Sequence, residues 1–138
     1  MSELRKSAVA LALSLCATPA LTGRADAFDL NGAWATGADQ CDKVFIREGG
    51  KLGFTEMSEV YGGGFIVDGD QVIGKFARCK VKARRDSGTS INLIAACATD
   101  IMLSSVQFSL KALDTDSIAR LFPGMEDMEV RYHRCASR

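Results

Sequence analysis

Beyond residue 27 the chain reads as short runs in which apolar and polar residues alternate with a period of two. Turn-forming residues separate the runs, which is the pattern of half-buried β-strands. The alternation is plainest where Ala77, Cys79, Val81 and Ala83 interleave with Arg78, Lys80, Lys82 and Arg84. Strands are predicted over residues 32–36, 43–47, 51–55, 65–67, 71–84, 90–99, 105–113, 117–122 and 129–135. The breaks fall at Gly49-Gly50, Asp68-Gly69-Asp70, Ser87-Gly88, Asp114-Thr115-Asp116 and Pro123-Gly124, residues that tolerate or impose turn dihedrals. The long run 71–84 is expected to bend at Gly74, because a glycine inside a strand pattern often marks a bulge or barrel corner. Helix-length apolar stripes are scarce, so only short helical turns are expected, at 38–42 and 100–104. No repeat, linker or low-complexity stretch divides residues 28–138, which points to one domain.

The hairpin around Gly88 fixes a register. A three-residue loop, Ser87-Gly88-Thr89, sets Asp86 opposite Ser90, Ala83 opposite Leu93, Val81 opposite Ala95 and Cys79 opposite Cys97. A slip of one residue would send the two cysteines to opposite faces, where their sulfurs cannot meet. A Cys79–Cys97 disulfide is therefore expected, and Cys41–Cys135 follows by subtraction. The predicted fold class is all-β: an antiparallel barrel, or barrel-like sandwich, of about eight strands with two disulfides. Closure removes the unpaired strand edges that so many short strands would otherwise leave. Val81, Leu93, Ala95, Val106, Phe108 and Leu110 are expected to form its inward row.

The first 27 residues carry a different pattern. Arg5 and Lys6 precede a short apolar run, residues 8–16, and Ala25-Asp26-Ala27 offers the small residues of a signal-peptidase site. Ser14, Thr18 and Pro19 interrupt the run well short of the roughly 20 apolar residues that a membrane span needs. Residues 1–27 are thus read as a cleaved signal peptide, and the mature chain as periplasmic or secreted with no integral membrane segment. Leu15 stands before Cys16 where a lipoprotein site wants a small residue, which argues against a lipid anchor. Cleavage would discard Cys16 and leave an even set of four cysteines for an oxidising compartment. It would also remove Arg5, Lys6 and Arg24 from 17 basic residues and Glu3 and Asp26 from 17 acidic ones, leaving 14 against 15. Such neutrality excludes a general nucleic-acid binder, which needs excess Lys and Arg to displace counterions from phosphate.

The segment Phe28-Asp29-Leu30-Asn31-Gly32-Ala33-Trp34 resembles the Gly-x-Trp opening of calycin-type barrels, meaning lipocalins, avidins and small bacterial protease inhibitors of the Inh type. That resemblance implies a structural role for Trp34, packed at one end of the barrel. It also implies an inhibitor alternative, although Inh-type proteins place a longer arm before the motif. The remainder looks like small exported proteins of Gram-negative bacteria, a likeness that brings no activity.

Among candidate contacts, Arg78, Lys80, Lys82 and Arg84 form a basic row suited either to water or to an anionic surface, with Lys75 and Arg85 extending it. Met57, Tyr61, Gly62, Gly63 and Gly64 make a loop suited to ligand or partner contact. The glycines lack the Gly-Lys-Ser/Thr ending of a phosphate loop. His133 has no Gly-x-Ser-x-Gly elbow to serve, and no metal or cofactor motif is found: no Cys-x-x-Cys pair occurs and His133 is the sole histidine. The expectation is a non-enzymatic exported module that binds a small apolar ligand or an envelope protein. An inhibitor of a periplasmic or secreted hydrolase is the alternative.

Overall fold

The structure is a computed structural model and describes residues 26–136. The signal-peptide reading, Asp26 and Ala27 apart, and Cys16 lie outside the described residues. The elements are β1 (Gly32–Ala35), a 3-10 turn (Ala38–Gln40), α1 (Cys41–Val44), β2 (Phe45–Glu48), β3 (Lys51–Phe54) and a second 3-10 turn (Ser58–Tyr61). They continue with β4 (Gly64–Asp68), β5 (Gln71–Ile73), β6 (Arg78–Ser87), β7 (Ser90–Ala98), β8 (Leu103–Asp114), β9 (Ser117–Leu121) and β10 (Glu129–Arg134). Eight of the strands close into an antiparallel barrel in the order β1-β10-β9-β8-β7-β6-β5-β4, with β4 returning to β1, while β2 and β3 form a separate hairpin. Both disulfides are present, Cys41–Cys135 and Cys79–Cys97.

Four local expectations are corrected. Residues 71–84 are two strands rather than one bent strand, since the chain leaves the ladder at Gly74 and closes a turn by donating from the Gly74 N–H to the Ala77 carbonyl. The predicted helical turn at 100–104 is absent, and Leu103 and Ser104 already belong to β8, whereas Lys43 and Val44 end a helical turn instead of starting a strand.

The fourth correction concerns register. The hairpin turn has two residues, Gly88-Thr89, so Ser87 faces Ser90 and Asp86 faces Ile91. A bulge at Lys82 then restores the expected pairing of Val81 with Ala95 and Cys79 with Cys97. Two compensating shifts leave the disulfide where alternation put it but move Ala83 opposite Ile94 and Arg84 opposite Leu93. An extra residue in one strand reverses every side chain beyond it. The basic row therefore stops at Lys82, and Arg84 and Asp86 join the inward face, opposite the buried Leu93 and Ile91.

Two apolar clusters result. The barrel interior holds Trp34, Val67, Ile91, Leu93, Ala95, Leu110 and Ile118, with Val81, Val106 and Phe108 packed against them, so the expected inward row is where alternation placed it. The second cluster lies outside the wall, where Ala33 and Ala35 of β1 and Ile66 of β4 meet Val44 and Phe45, with Leu52, Phe54 and the Cys41–Cys135 bridge around them. The opposite-facing residues of β1 and β4 are thus apolar on both faces because α1 and the β2–β3 hairpin cover them.

Antiparallel topology sorts the connections to two ends. One end gathers residues 28–31 and the turns Gly69-Asp70, Gly88-Thr89 and Thr115-Asp116. The other gathers the exit of β1 and the connections 55–63, 74–77, 99–102 and 122–128.

Candidate functional site

The first end is closed by the N-terminal segment and two arginines. Gly32 has φ 123°, a conformation that L side chains rarely adopt, and it turns residues 28–31 across the barrel end. Trp34 is fully buried and donates its Nε1–H to the Leu30 carbonyl at 2.8 Å. The Arg134 guanidinium lies 4.3 Å from the Trp34 ring centroid and donates to the carbonyls of Asn31, Asp29 and Thr115 while pairing with Asp116. Arg84 bonds Asp86 through both Nε and Nη2 and donates to the Phe28 carbonyl. The Arg84–Asp86 hydrogen bond holds the Asp86 carboxyl below its ordinary value and raises the Arg84 guanidinium. The Asn31 backbone N–H lowers Asp29 in the same way.

Above this plug the interior keeps a cavity of about 230 Å³. Its wall is Phe65, Val67, Val72, Cys79, Leu93 and Phe108, with Leu30 below and Gly64, Gly74 and Ala77 at the second end. Gly64 is required by close approach: a Cβ there would come 2.3 Å from the Trp34 carbonyl oxygen and 2.9 Å from the Phe45 ring. Two polar side chains also reach the cavity, Arg120 of β9 and Tyr132 of β10. Arg120 pairs with Leu110 and Val130, and Leu110 is an interior residue, so the arginine faces inward. Its guanidinium lies 4.9 Å from the Phe108 ring centroid and 5.0 Å from that of Phe122. The Tyr132 ring stands edge-on to Phe65 at 4.9 Å.

The rim of this second end is apolar. Met57, Val60 and Tyr61 lie on the 55–63 connection and Phe76 on 74–77. Ile101, Met102 and Leu103 form the β7–β8 tip, and Met125 and Met128 the β9–β10 connection. These nine are among twelve exposed large hydrophobics in the described residues, the other three being Ile46, Ile94 and Leu113. Methionine suits such a rim, since its flexible thioether adapts to varied apolar partners.

Of the loop singled out by sequence, only Gly64 lines the cavity. Met57 is exposed at the rim, Tyr61 lies beneath the Lys43 ammonium at 5.2 Å, and Gly62 and Gly63 close the 3-10 turn through backbone bonds to Glu59 and Ser58. Arg78 and Lys80 point outward, Lys80 near Asp70 at 3.4 Å, and Lys82 sits at the bulge. Lys75 is held by Glu59 and the Glu56 carbonyl. His133 shares the outer face of β9–β10 with Ser117, whose Oγ is 3.4 Å from Nδ1. Sequence reasoning missed Arg120, Phe65 and Tyr132. The available signal was Ile118-Arg120-Phe122, an arginine at the centre of an otherwise apolar row.

Fold and site together define a small closed antiparallel barrel, plugged at one end and apolar at the other, with a cavity between. No protein-family model matches the chain, and no curated protein or solved structure matches it either.

Proposed function

We propose that this chain is a non-enzymatic exported module that takes a small apolar ligand into the barrel through its apolar end. The observation that carries the reading is the cavity of about 230 Å³, walled by aromatic and aliphatic side chains and reaching the end where the exposed hydrophobics gather. Exposed apolar side chains gathered at the end of the barrel beside a concave apolar pocket are a usual mark of a binding site. The volume lies below the roughly 300–1,000 Å³ of sites for drug-sized molecules, so the ligand is small or inserts only one segment. Two disulfides support export, since such bonds persist in oxidising compartments. No helix among the described residues is long and apolar enough to cross a membrane. The calycin resemblance belongs to the same proposal, with Trp34 as the aromatic beneath the ligand chamber. An envelope protein that delivers ligand would meet the same rim.

The inhibitor alternative draws on one feature. The β7–β8 tip is closed by a Thr99 N–H to Met102 carbonyl bond and holds Ile101 93% exposed, as a rigid protrusion suited to a hydrolase cleft. The cavity has no role in that reading, and we favour ligand binding. Native mass spectrometry of protein purified from the periplasm tests the choice. A retained small molecule is the expected result, and a protein carrying none, whose Ile101→Asp variant loses inhibition of a periplasmic hydrolase, would replace it with the alternative.

A further inference from the structure

We infer that the ligand of the cavity is an amphipathic anion, an apolar body ending in a carboxylate that pairs with Arg120. This rests on the ligand-binding reading and names its ligand class. Of the described arginines only Arg120 and Arg134 are not exposed. Arg134 is saturated by three carbonyls and Asp116. Arg120 has no ion pair and no hydrogen bond among the described residues, and its neighbours are the rings of Phe108 and Phe122. Aromatic faces hold a guanidinium by its charge but leave its five N–H donors unused. A charge facing an apolar wall is costly without a partner, whereas the planar fork matches a carboxylate with two parallel bonds.

Tyr132 completes the arrangement. It is the diagonal neighbour of Arg120 across the β9–β10 ladder, where Arg120 pairs with Val130. It lines the same cavity, and its hydroxyl also has no hydrogen bond among the described residues. Cross-strand diagonal neighbours are close enough for long side chains to reach one object. The remaining lining is apolar, which leaves one polar corner in an otherwise greasy chamber. An acid head at Arg120 and Tyr132 with its tail along Phe65, Phe108 and Leu93 uses every part of it.

Calorimetric titration of the purified protein with octanoate, octanol and acetate tests the inference. Octanoate is expected to bind at least tenfold more tightly than either octanol, which lacks the charge, or acetate, which lacks the tail. Arg120→Met, which keeps an apolar wall, should remove the preference for octanoate over octanol. Arg120→Lys should recover only part of it, because an ammonium lacks the fork. Unfolding of each variant in urea verifies that the barrel persists. Equal binding of octanoate and octanol, unaltered in Arg120→Met, would overturn the anion inference while sparing the apolar-ligand reading. Acetate binding as strongly as octanoate would refute the amphipathic class, and failure of every probe to bind would remove both.

Discussion

The two ends of this barrel are built from opposite materials. At the closed end, Arg84, Asp86, Arg134 and Asp116 neutralise one another over Trp34, and backbone carbonyls of the N-terminal segment take up the remaining donors. At the open end, Phe76, Ile101 and Leu103 face water at 71%, 93% and 84% exposure, and the nearby Arg120 has no acidic partner among the described residues. Satisfied polar groups over a buried aromatic contribute to holding the chain in one state. Unsatisfied apolar surface contributes nothing in isolation and gains only when something covers it. The contrast assigns stability to one end and recognition to the other, and it can be tested by treating both ends alike.

Each end has its own disulfide, which gives the largest expected effect. Cys135 follows β10 at the closed end and is joined to Cys41, 94 residues away in sequence; Cys79 and Cys97 lie one residue inside the open end and are 18 apart. On the chain-entropy model the longer loop stabilises by roughly 4–5 kcal/mol and the shorter by roughly 3 kcal/mol. The Cys41→Ala/Cys135→Ala variant should therefore lose more stability in urea unfolding than Cys79→Ala/Cys97→Ala. Equal losses would mean that the closed end is no more dependent on its staple than the open one.

Trp34→Ala comes next. Removing a fully buried large aromatic typically costs about 3–5 kcal/mol, and here it also strands the Leu30 carbonyl and the cation stacked on the indole. Differential scanning calorimetry should show a large fall in Tm, and a small one would shift the weight of the plug to Arg134.

Much of the fold was legible in the sequence. Period-two alternation located nearly every strand, and the parity of Cys79 and Cys97 identified their bridge, because a sheet face is fixed by odd or even spacing. Alternation is silent about an inserted residue, so the bulge at Lys82 and the shorter turn at Gly88-Thr89 compensated each other unseen, and Arg84 was read on the wrong face. The open end was less legible still. Ile101 and Leu103 look like core residues in a string of letters, and only the topology shows that they sit at the tip between β7 and β8, exposed at the end of the barrel. Arg120 escaped notice because both rows of β9 mix polar and apolar residues, so parity alone could not say which row faces inward.

Acid separates the ends by a smaller effect. Asp86, held down chiefly by its hydrogen bond from Arg84, and Asp29, held down chiefly by the Asn31 N–H, both have folded values below the unfolded one. Their stabilisation is thus present above the unfolded value of about 3.9 and disappears as pH falls through the lower folded values. Glu59 at the open end has the same sign through Lys75 but is fully exposed, so screening leaves it less consequence. Trp34 is the sole tryptophan and lies under the Arg134 guanidinium, so its fluorescence reports on the closed end. Arg84→Gln should move its acid transition to higher pH by freeing Asp86 to protonate earlier. An unmoved midpoint would remove this pair from the plug.

The smallest effect on stability is the sharpest test of the open end. Leu103→Ser and Ile101→Ser replace side chains that already face solvent, and substitutions away from packed features usually change stability by less than about 0.5 kcal/mol. If the rim serves recognition, the pair of changes should leave the urea midpoint in place yet slow the uptake of a neutral naphthylamine probe measured by stopped-flow fluorescence, because the probe loses its first apolar contact before the cavity. Closed-end variants that still fold should show the reverse, reduced stability with uptake unchanged. A rim variant that destabilised the barrel as Trp34→Ala does would show that these side chains are packed after all, and the division of labour between the two ends would fail.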